Sequence, residues 1–450
     1  MTMIEDATRQ ISEAALVAWV RQAAPYIHAF RGRTFVIAFG GEVLGTDKAQ
    51  ALAQDFNLLA SLGIRLVLVH GARPQIDAEM QRRGLPARFH KGLRVTDAAA
   101  LECVKSALGV TRIEIEALLS QGLPNTPMAG AWMRVTGGNF ITAKPVGVLD
   151  GVDHLYTGAV RKIIAEEIKA DLDQQNVVLI SPLGVSPSGE IFNLALEDVA
   201  EAVAVALQAE KLIFLGDAPG LVDKKGQLLE AVTVDEAGLL LTRRVRQAPE
   251  VARVLPAALR ACRAGVGRVH FLDRNADGAM LMEFFTHAGV GTVMTRSPLV
   301  RLREATVDDV GAILGLIAPL EADGTLVKRG RERIEMEISR FSLLEDDGVT
   351  VGCAALYPFT GKKAAERVGE LACLAVMPEY QHYGYGDQLR RHIEMRAKKL
   401  KLKKLFVLTT RTAHWFIERG FVESDLATLP DTKRELYNYQ RRSKVFIKTL

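Results

Sequence analysis

Cysteine is scarce in this chain. Cys103, Cys262, Cys353 and Cys373 are the only four in 450 residues, with no CxxC pair and no metal-spaced histidine cluster beside them. This scatter argues against a disulfide scaffold and a structural zinc site and fits a reducing compartment; no bound metal is expected. Long apolar runs are also missing: none reaches the ~18 residues that a membrane-spanning helix needs. The start, Met1-Thr-Met-Ile-Glu-Asp6, lacks the basic-then-apolar order of a signal peptide. The expected location is cytoplasmic. A formal net charge of +4 is small for this length and gives no argument for nucleic acid or membrane binding. Internal repeats and low-complexity tracts are absent too.

What is present is an ordinary globular composition, 48% hydrophobic and 24% charged, on a chain too long for one core. Residues 8–29 read as an amphipathic helix placed ahead of the first strand, an appendage suited to packing on a partner subunit. From Thr34 to about residue 295, short apolar runs alternate with helical segments. The runs are Thr34–Phe39, Ile64–Val69, Asn176–Ile180, Lys211–Leu215 and Val269–Leu272. This α/β pattern predicts a mainly parallel sheet covered on both faces, with glycine turns at its carboxyl edge. Residues 296–300 contain a proline and read as a linker. A second α/β unit then starts, in which Thr306 caps a helix with Asp309 three residues on.

In the second unit the apolar strand Glu370-Leu-Ala-Cys-Leu-Ala-Val376 leads through Pro378 to Gln381-His382-Tyr383-Gly384-Tyr385-Gly386 and then to an amphipathic helix. A glycine turn feeding a helix N-terminus points successive N–H groups at one spot and makes a nest for a diphosphate. Glu370 is costly inside an apolar strand unless it has a role, and it is the candidate general base. Three basic sites suit a dicarboxylate: Lys328-Arg329, Arg411, and Arg441 with Ser443.

The order strand, Gln-x-x-Gly-x-Gly, helix resembles the coenzyme A signature of the GNAT acetyltransferases, over about residues 301–450. The resemblance implies acetyl-CoA as co-substrate. It places Cys373, Leu374, Ala375 and Val376 along the pantetheine, and Gln381 through Gly386 at the pyrophosphate. It leaves His414 or Tyr439 as the acid that protonates the leaving thiolate.

The first unit, about residues 30–295, resembles the amino acid kinase family. The resemblance rests on Gly40-Gly41, on His70-Gly71-Ala72-Arg73, on Lys91-Gly-Leu-Arg-Val-Thr96 and on Lys211–Asp217. Two departures weigh against phosphoryl transfer: Ala38 stands near the first turn where the family has lysine, and Ala72 replaces a glycine. Losing one positioned charge costs on the order of a hundredfold, so the unit is expected to be kinase-inactive. The stretch Gly278–Thr292 resembles the effector signature of arginine-inhibited acetylglutamate kinases. That likeness implies an L-arginine site lined by Lys211, His270, Glu283, Gly289 and Gly291. It also implies a homo-oligomer, a hexamer built through the N-terminal helices.

A kinase-like domain fused to a GNAT domain resembles the bacterial N-acetylglutamate synthases. It implies acetyl transfer to L-glutamate at the entry to arginine synthesis, with arginine as feedback effector. Two alternatives stay open: an active acetylglutamate kinase with an appended regulatory domain, and a ligand-gated protein lysine acetyltransferase.

Overall fold

The computed structural model describes residues 13–450, apart from 123, 287–288, 361–366, 436 and 438–441. The chain folds into two compact units, one ending at Ser297 and the other beginning at Pro298.

The first unit opens with helix α1 (Glu13–Phe30). Strands β1 (Thr34–Phe39) and β2 (Arg65–His70) flank helix α2 (Asp47–Ser61). Helices α3 (Arg73–Arg82) and α4 (Ala98–Leu119) follow, then strand β3 (Val135–Thr136), β4 (Ile141–Pro145), β5 (Gly158–Ile163) and helix α5 (Ala165–Asp173). Next come β6 (Val177–Ile180), β7 (Leu183–Val185), β8 (Ile191–Asn193), α6 (Leu196–Leu207), β9 (Lys211–Gly216) and β10 (Ala231–Thr233). Helices α7 (Val234–Thr242) and α8 (Pro249–Arg263), strand β11 (Arg268–Asp273), helix α9 (Ala279–Phe285) and strand β12 (Thr292–Thr295) complete the unit.

Eight strands form one sheet in the order β10-β12-β11-β9-β1-β2-β6-β3, and β4, β5, β7 and β8 form a smaller one. The large sheet is parallel except where β11 meets β12. Its apolar runs are continuous because both faces are covered. Val36, Ala38, Val67, Val69, Leu212 and Phe271 pack toward α5, α6 and α8. The alternate residues Phe35, Ile37, Leu66, Leu68 and Ile213 pack toward α1, α2 and α9. Each Val, Leu, Ile or Phe among them, wholly removed from water, contributes roughly 1.5–3 kcal/mol. The five strands expected from the sequence are therefore present, each within a residue or so of its expected bounds. The long helix α4 and the smaller sheet went unread, because neither begins or ends on a strong periodic signal.

The second unit starts with β13 (Val300–Glu304), so Val300, expected in the linker, already pairs with Asp346. Thr306 and Asp309 form the expected capping box, at the head of a short 3₁₀ turn that leads into α10 (Val310–Ala322). Then come α11 (Arg331–Met336), β14 (Phe341–Asp346), β15 (Val349–Thr360), β16 (Arg367–Val376) and α12 (Tyr385–Lys399). The unit ends with β17 (Lys404–Thr409), α13 (Ala413–Ile417), β18 (Val422–Ser424), α14 (Asp431–Glu435) and β19 (Lys444–Thr449). The sheet order is β13-β14-β15-β16-β17-β19-β18.

Candidate active site

The second unit carries a break in its own sheet. Strand β16 runs parallel to β17, but their ladder holds only Val368–Lys404, Gly369–Leu405 and Glu370–Phe406. Beyond Glu370 the two strands continue apart. Strand β16 stays paired to β15 as far as Val376, and β17 stays paired to β19 as far as Thr409. A fork therefore opens with Glu370 at its vertex, and the edge of Leu371–Val376 that faces it has no strand partner among the described residues. Such an edge is a template for an extended, amide-bearing ligand.

The strand itself is distorted at this point. Cys373 has φ of +50°, and the register against β15 slips between Cys353 and Ala355. This bulge puts an extra residue into β16 and re-aims its backbone. A left-handed conformation costs a non-glycine residue roughly 1–2 kcal/mol, so the distortion is sustained by its surroundings. Cys373 is buried against α10, and its carbonyl accepts from Cys353 Sγ at 3.4 Å. Burial pushes the Cys373 thiol up to about 11, although the Arg329 guanidinium acts the other way. A thiol held protonated in this way is packing material, not a nucleophile. Cys373 and Ala375 pack on the α10 face of the sheet, and Leu374 and Val376 pack on the α12 face.

Glu370 is buried, and its Oε2 pairs with Lys433 Nζ at 2.7 Å. The sequence placed it at the head of its strand. The strand in fact begins three residues earlier, at Arg367, so Glu370 lies inside the sheet and not at a solvent-exposed end. Arg329 is half-buried beside it. Its backbone N–H donates to Glu321 at 2.8 Å and its guanidinium lies 5.9 Å from the centre of the Tyr357 ring, yet Nε is buried without a partner among the described residues. Burial by itself would lower the basicity of Arg329; Cys373, Tyr357 and Glu370 outweigh it and raise it. An unpaired buried donor is rare, because it forfeits the water it left. Tyr357 donates to Glu337 at 2.7 Å, and burial with that carboxylate raises its hydroxyl above the ordinary range.

The glycine loop takes a more ordered form than a free turn. Pro378–Tyr383 is a 3₁₀ turn, and Gly384 with φ of +72° is the N-cap of α12. The first N–H groups of α12 have no partner within the helix, and they emerge here beside the exposed Gln381, His382 and Tyr383. Gly386 lies under the Trp415 ring: a Cβ there would sit 3.4 Å from it. Tyr385 enters the loop through its backbone. Its side chain is buried, stacks on Tyr380 and Tyr383, and donates to Asp346 at 2.5 Å. Its ring belongs to the core, so only its backbone can serve a ligand.

The remaining expected residues divide. Lys328 is exposed. Arg411 is exposed and committed to Asp323 at 2.8 Å, so its guanidinium already has a carboxylate of its own. His414 is exposed on the first turn of α13. Ser443 is buried, and its carbonyl accepts from Tyr437 at 2.7 Å. Tyr439 and Arg441 lie outside the described residues. Lys433, Tyr357 and Glu337 were missed because nothing local marks them.

In the first unit the five expected effector residues come together. Lys211, His270 and Glu283 are buried in series. Lys211 Nζ donates to His270 Nε2 at 3.1 Å, so His270 Nδ1 carries the proton and donates to Glu283 Oε1 at 2.7 Å. The second oxygen of Glu283 accepts from the N–H of Val290 at 2.9 Å and of Gly291 at 3.2 Å. The Lys211 ammonium also faces the rings of Phe30, Phe284 and Phe35. Burial, with Lys211 next, lowers His270 to about 4. Burial would raise Glu283, but the bonds from His270, Val290 and Gly291 outweigh it and hold the carboxyl at about 2. Gly289 has φ of +56° and would bring a Cβ within 2.8 Å of Glu283, while a Cβ at Gly291 would overlap the Phe271 carbonyl. Both glycines are thus fixed by local packing as well as by any ligand.

The two glycine turns meet at the carboxyl edge of the sheet and border a cavity of about 160 Å³, lined in part by Ala38, Gly40, Gly71, Arg94, Asn193 and Glu197. At Gly41 the space that a Cβ would take is filled by Gln75, and at Gly40 by the carboxylate of Glu42. Glu42 faces Arg274 at 3.8 Å, and Arg73, Arg94 and Arg253 line the same cavity.

Comparison with known proteins agrees with both halves. The chain matches the amino acid kinase family over residues 33–273 and the acetyltransferase (GNAT) family over residues 319–421. An amino-acid acetyltransferase of Azotobacter vinelandii is 52% identical over 434 residues, which is 96% of this chain and 99% of that one. One from Ralstonia nicotianae is 50% identical over 96% of this chain and 95% of its own length. The crystal structure of N-acetylglutamate synthase from Neisseria gonorrhoeae complexed with coenzyme A and L-arginine is 40% identical. It matches with a TM-score of 0.86 over 96% of this chain and 99% of that chain. The same enzyme complexed with coenzyme A and N-acetyl-glutamate gives a TM-score of 0.61 over the same shares.

Proposed function

This chain belongs to the amino-acid acetyltransferase family, and from that premise we propose that it transfers the acetyl group of acetyl-CoA to the α-amine of L-glutamate, releasing coenzyme A and N-acetyl-L-glutamate. The observation that carries the reading is the forked sheet with Glu370 at its vertex and Arg329 beside it.

In this reading the unpaired edge of β16 from Leu371 to Val376 takes the amides of the pantetheine. The first N–H groups of α12, opened by Gly384, take the pyrophosphate, with Gln381, His382 and Tyr383 around it and Gly386 allowing close approach. Arg329 binds a carboxylate of the acceptor with the fork-shaped donor set that a dicarboxylate suits, and Lys328, Arg441 and Ser443 complete that side. Glu370 removes a proton from the α-ammonium, directly or through a water. The neutral amine attacks the thioester carbonyl, and a backbone N–H of the bulged strand stabilises the oxyanion. The oxyanion re-forms the carbonyl, the attacking nitrogen sheds its extra proton to water, and the C–S bond breaks so that the thiolate leaves, protonated by His414 or Tyr439. Arg411 serves the site indirectly, through its tie to Asp323 at the end of α10.

The Lys211–His270–Glu283 chain is the proposed place of the effector L-arginine. Glu283 is the group suited to the guanidinium, and Gly289 and Gly291 border it. The exposed Val17, Trp19 and Val20 of α1 support assembly through that helix, with a hexamer as the expected state. A cytoplasmic location and a place at the entry to arginine biosynthesis complete the reading. Its test is a panel of free amino acids with acetyl-CoA, following thiol release. Release should be confined to L-glutamate and close analogues, and silence with glutamate would reject the acceptor.

A further inference from the structure

The only ion-pair partner of Glu370 among the described residues is Lys433, a residue with no other place in the proposed chemistry. Lys433 sits on α14, in the segment between β18 and β19, which is pinned to the sheet by Leu426 and Leu429 against Val368, Phe406 and Val445. From there Lys433 Nζ reaches Oε2 of Glu370 at 2.7 Å, with side-chain exposures of 22% and 7%. Both ends of the pair are therefore largely out of water, where a carboxylate without a counter-charge takes up a proton.

We propose that Lys433 is a positioning residue for the transfer reaction: it keeps Glu370 ionised at the vertex of the fork and holds one carboxylate oxygen, so that the other is presented to the acceptor's ammonium.

The inference rests on the reading of Glu370 as the base. The charged and titratable groups that face Glu370 are few. Lys433 approaches from α14 and Arg329 from the chain after α10. Cys373 shares its strand, and Tyr357, its partner across β15, is tied to Glu337. Arg329 makes no hydrogen bond to Glu370 and has the acceptor's carboxylate to meet, and Cys373 and Tyr357 are held neutral by burial. Lys433 is left as the dedicated counter-ion. An opposite charge at this range favours the ionised form of a carboxylate.

The experiment uses the full chain and the pH profile of kcat/KM for glutamate in K433M, K433Q and K433R beside the wild type. In K433M and K433Q the acid limb should move up by about one pH unit, so that activity at pH values along that limb falls about tenfold and recovers once pH rises above it. K433R should track the wild type. Coenzyme A affinity by calorimetry should match the wild type in all three; if K433M fails to fold, K433Q, which keeps a hydrogen-bond donor without the charge, decides. An acid limb that stays in place in a folded K433Q overturns the proposal. A parallel E370Q separates the two failures. If E370Q keeps its turnover, the base assignment fails and Lys433 loses its role with it. If E370Q is inactive and the K433Q limb is unmoved, only the role of Lys433 fails.

Discussion

Acidification should loosen the first unit through two histidines buried in their neutral form. His270 is lowered from 6.5 to about 4 by burial and by Lys211. His70, hydrogen-bonded to Ser181 at 2.7 Å, is lowered from 6.5 to about 4 by burial, with Arg112 adding to it and the Gly71 carbonyl and Glu116 opposing it. In both, the folded value lies below the unfolded one. The stability each contributes is therefore complete above 6.5 and is lost as pH falls from 6.5 toward 4. Glu283 moves in the same direction but lower: its folded value near 2 against an ordinary 4.5 means that its contribution starts to fail only below 4.5. Going from about pH 7.5 to about pH 5, each histidine should cost about 2 kcal/mol, and Glu283 only a few tenths. The assay is hydrogen exchange of the β9 and β11 amides, corrected for the intrinsic pH dependence, in the wild type and in H270Q. Asp55, which burial and Asp277 raise to about 6, gains stability over the same interval and offsets part of the loss, so the clean readout is the difference: the wild-type protection of these strands should fall by about 2 kcal/mol more than that of H270Q. Protection that is flat with pH in the wild type, or an equal drop in H270Q, would refute the claim that His270 is kept neutral at a thermodynamic cost.

Other outcomes follow from single residues. Replacing Arg329 by Met should raise the KM for glutamate by roughly ten- to a hundredfold, the ~1.5–3 kcal/mol of a charged hydrogen bond, with a smaller change in kcat; steady-state thiol release measures both, and an unchanged KM removes Arg329 from the acceptor site. Glu283→Gln should raise the arginine concentration for half-inhibition at least tenfold, and the converse linkage should hold in the wild type, with glutamate weakening arginine binding by calorimetry. Unchanged inhibition would displace the effector from this network. Gly384→Ala meets no atom within 4 Å but must hold φ of +72°, so it should lower the melting point of the second unit by the equivalent of about 1 kcal/mol and weaken coenzyme A binding. A neutral melting point would mean that the turn relaxes.

Much of this molecule was legible along the chain because its signals are local. Continuous apolar runs such as Thr34–Phe39 encode strands buried on both faces, and the Thr306–Asp309 box and the Gln381–Gly386 turn are written within a few residues. The resemblances then assembled Lys211, His270 and Glu283, which the fold joins by hydrogen bonds although Lys211 and Glu283 stand 72 positions apart in sequence. Tyr385 shows the converse. Nothing local in the Gln381–Gly386 stretch says where its tyrosine rings go; packing sends the Tyr385 ring toward Asp346.

The sequence by itself determined the two α/β units and singled out the candidate coenzyme-binding turn and the candidate base. Local propensity and side-chain chemistry suffice for these. Only the tertiary structure decided where β16 and β17 part, that Cys373 lies on a bulge, and that Arg411 is taken up by Asp323 while Arg329 Nε has no partner among the described residues. The same holds for the choice of Lys433 as the counter-ion of Glu370. These depend on pairing and burial between residues far apart in the chain, and Glu370 owes its charge partner to a helix some sixty residues downstream.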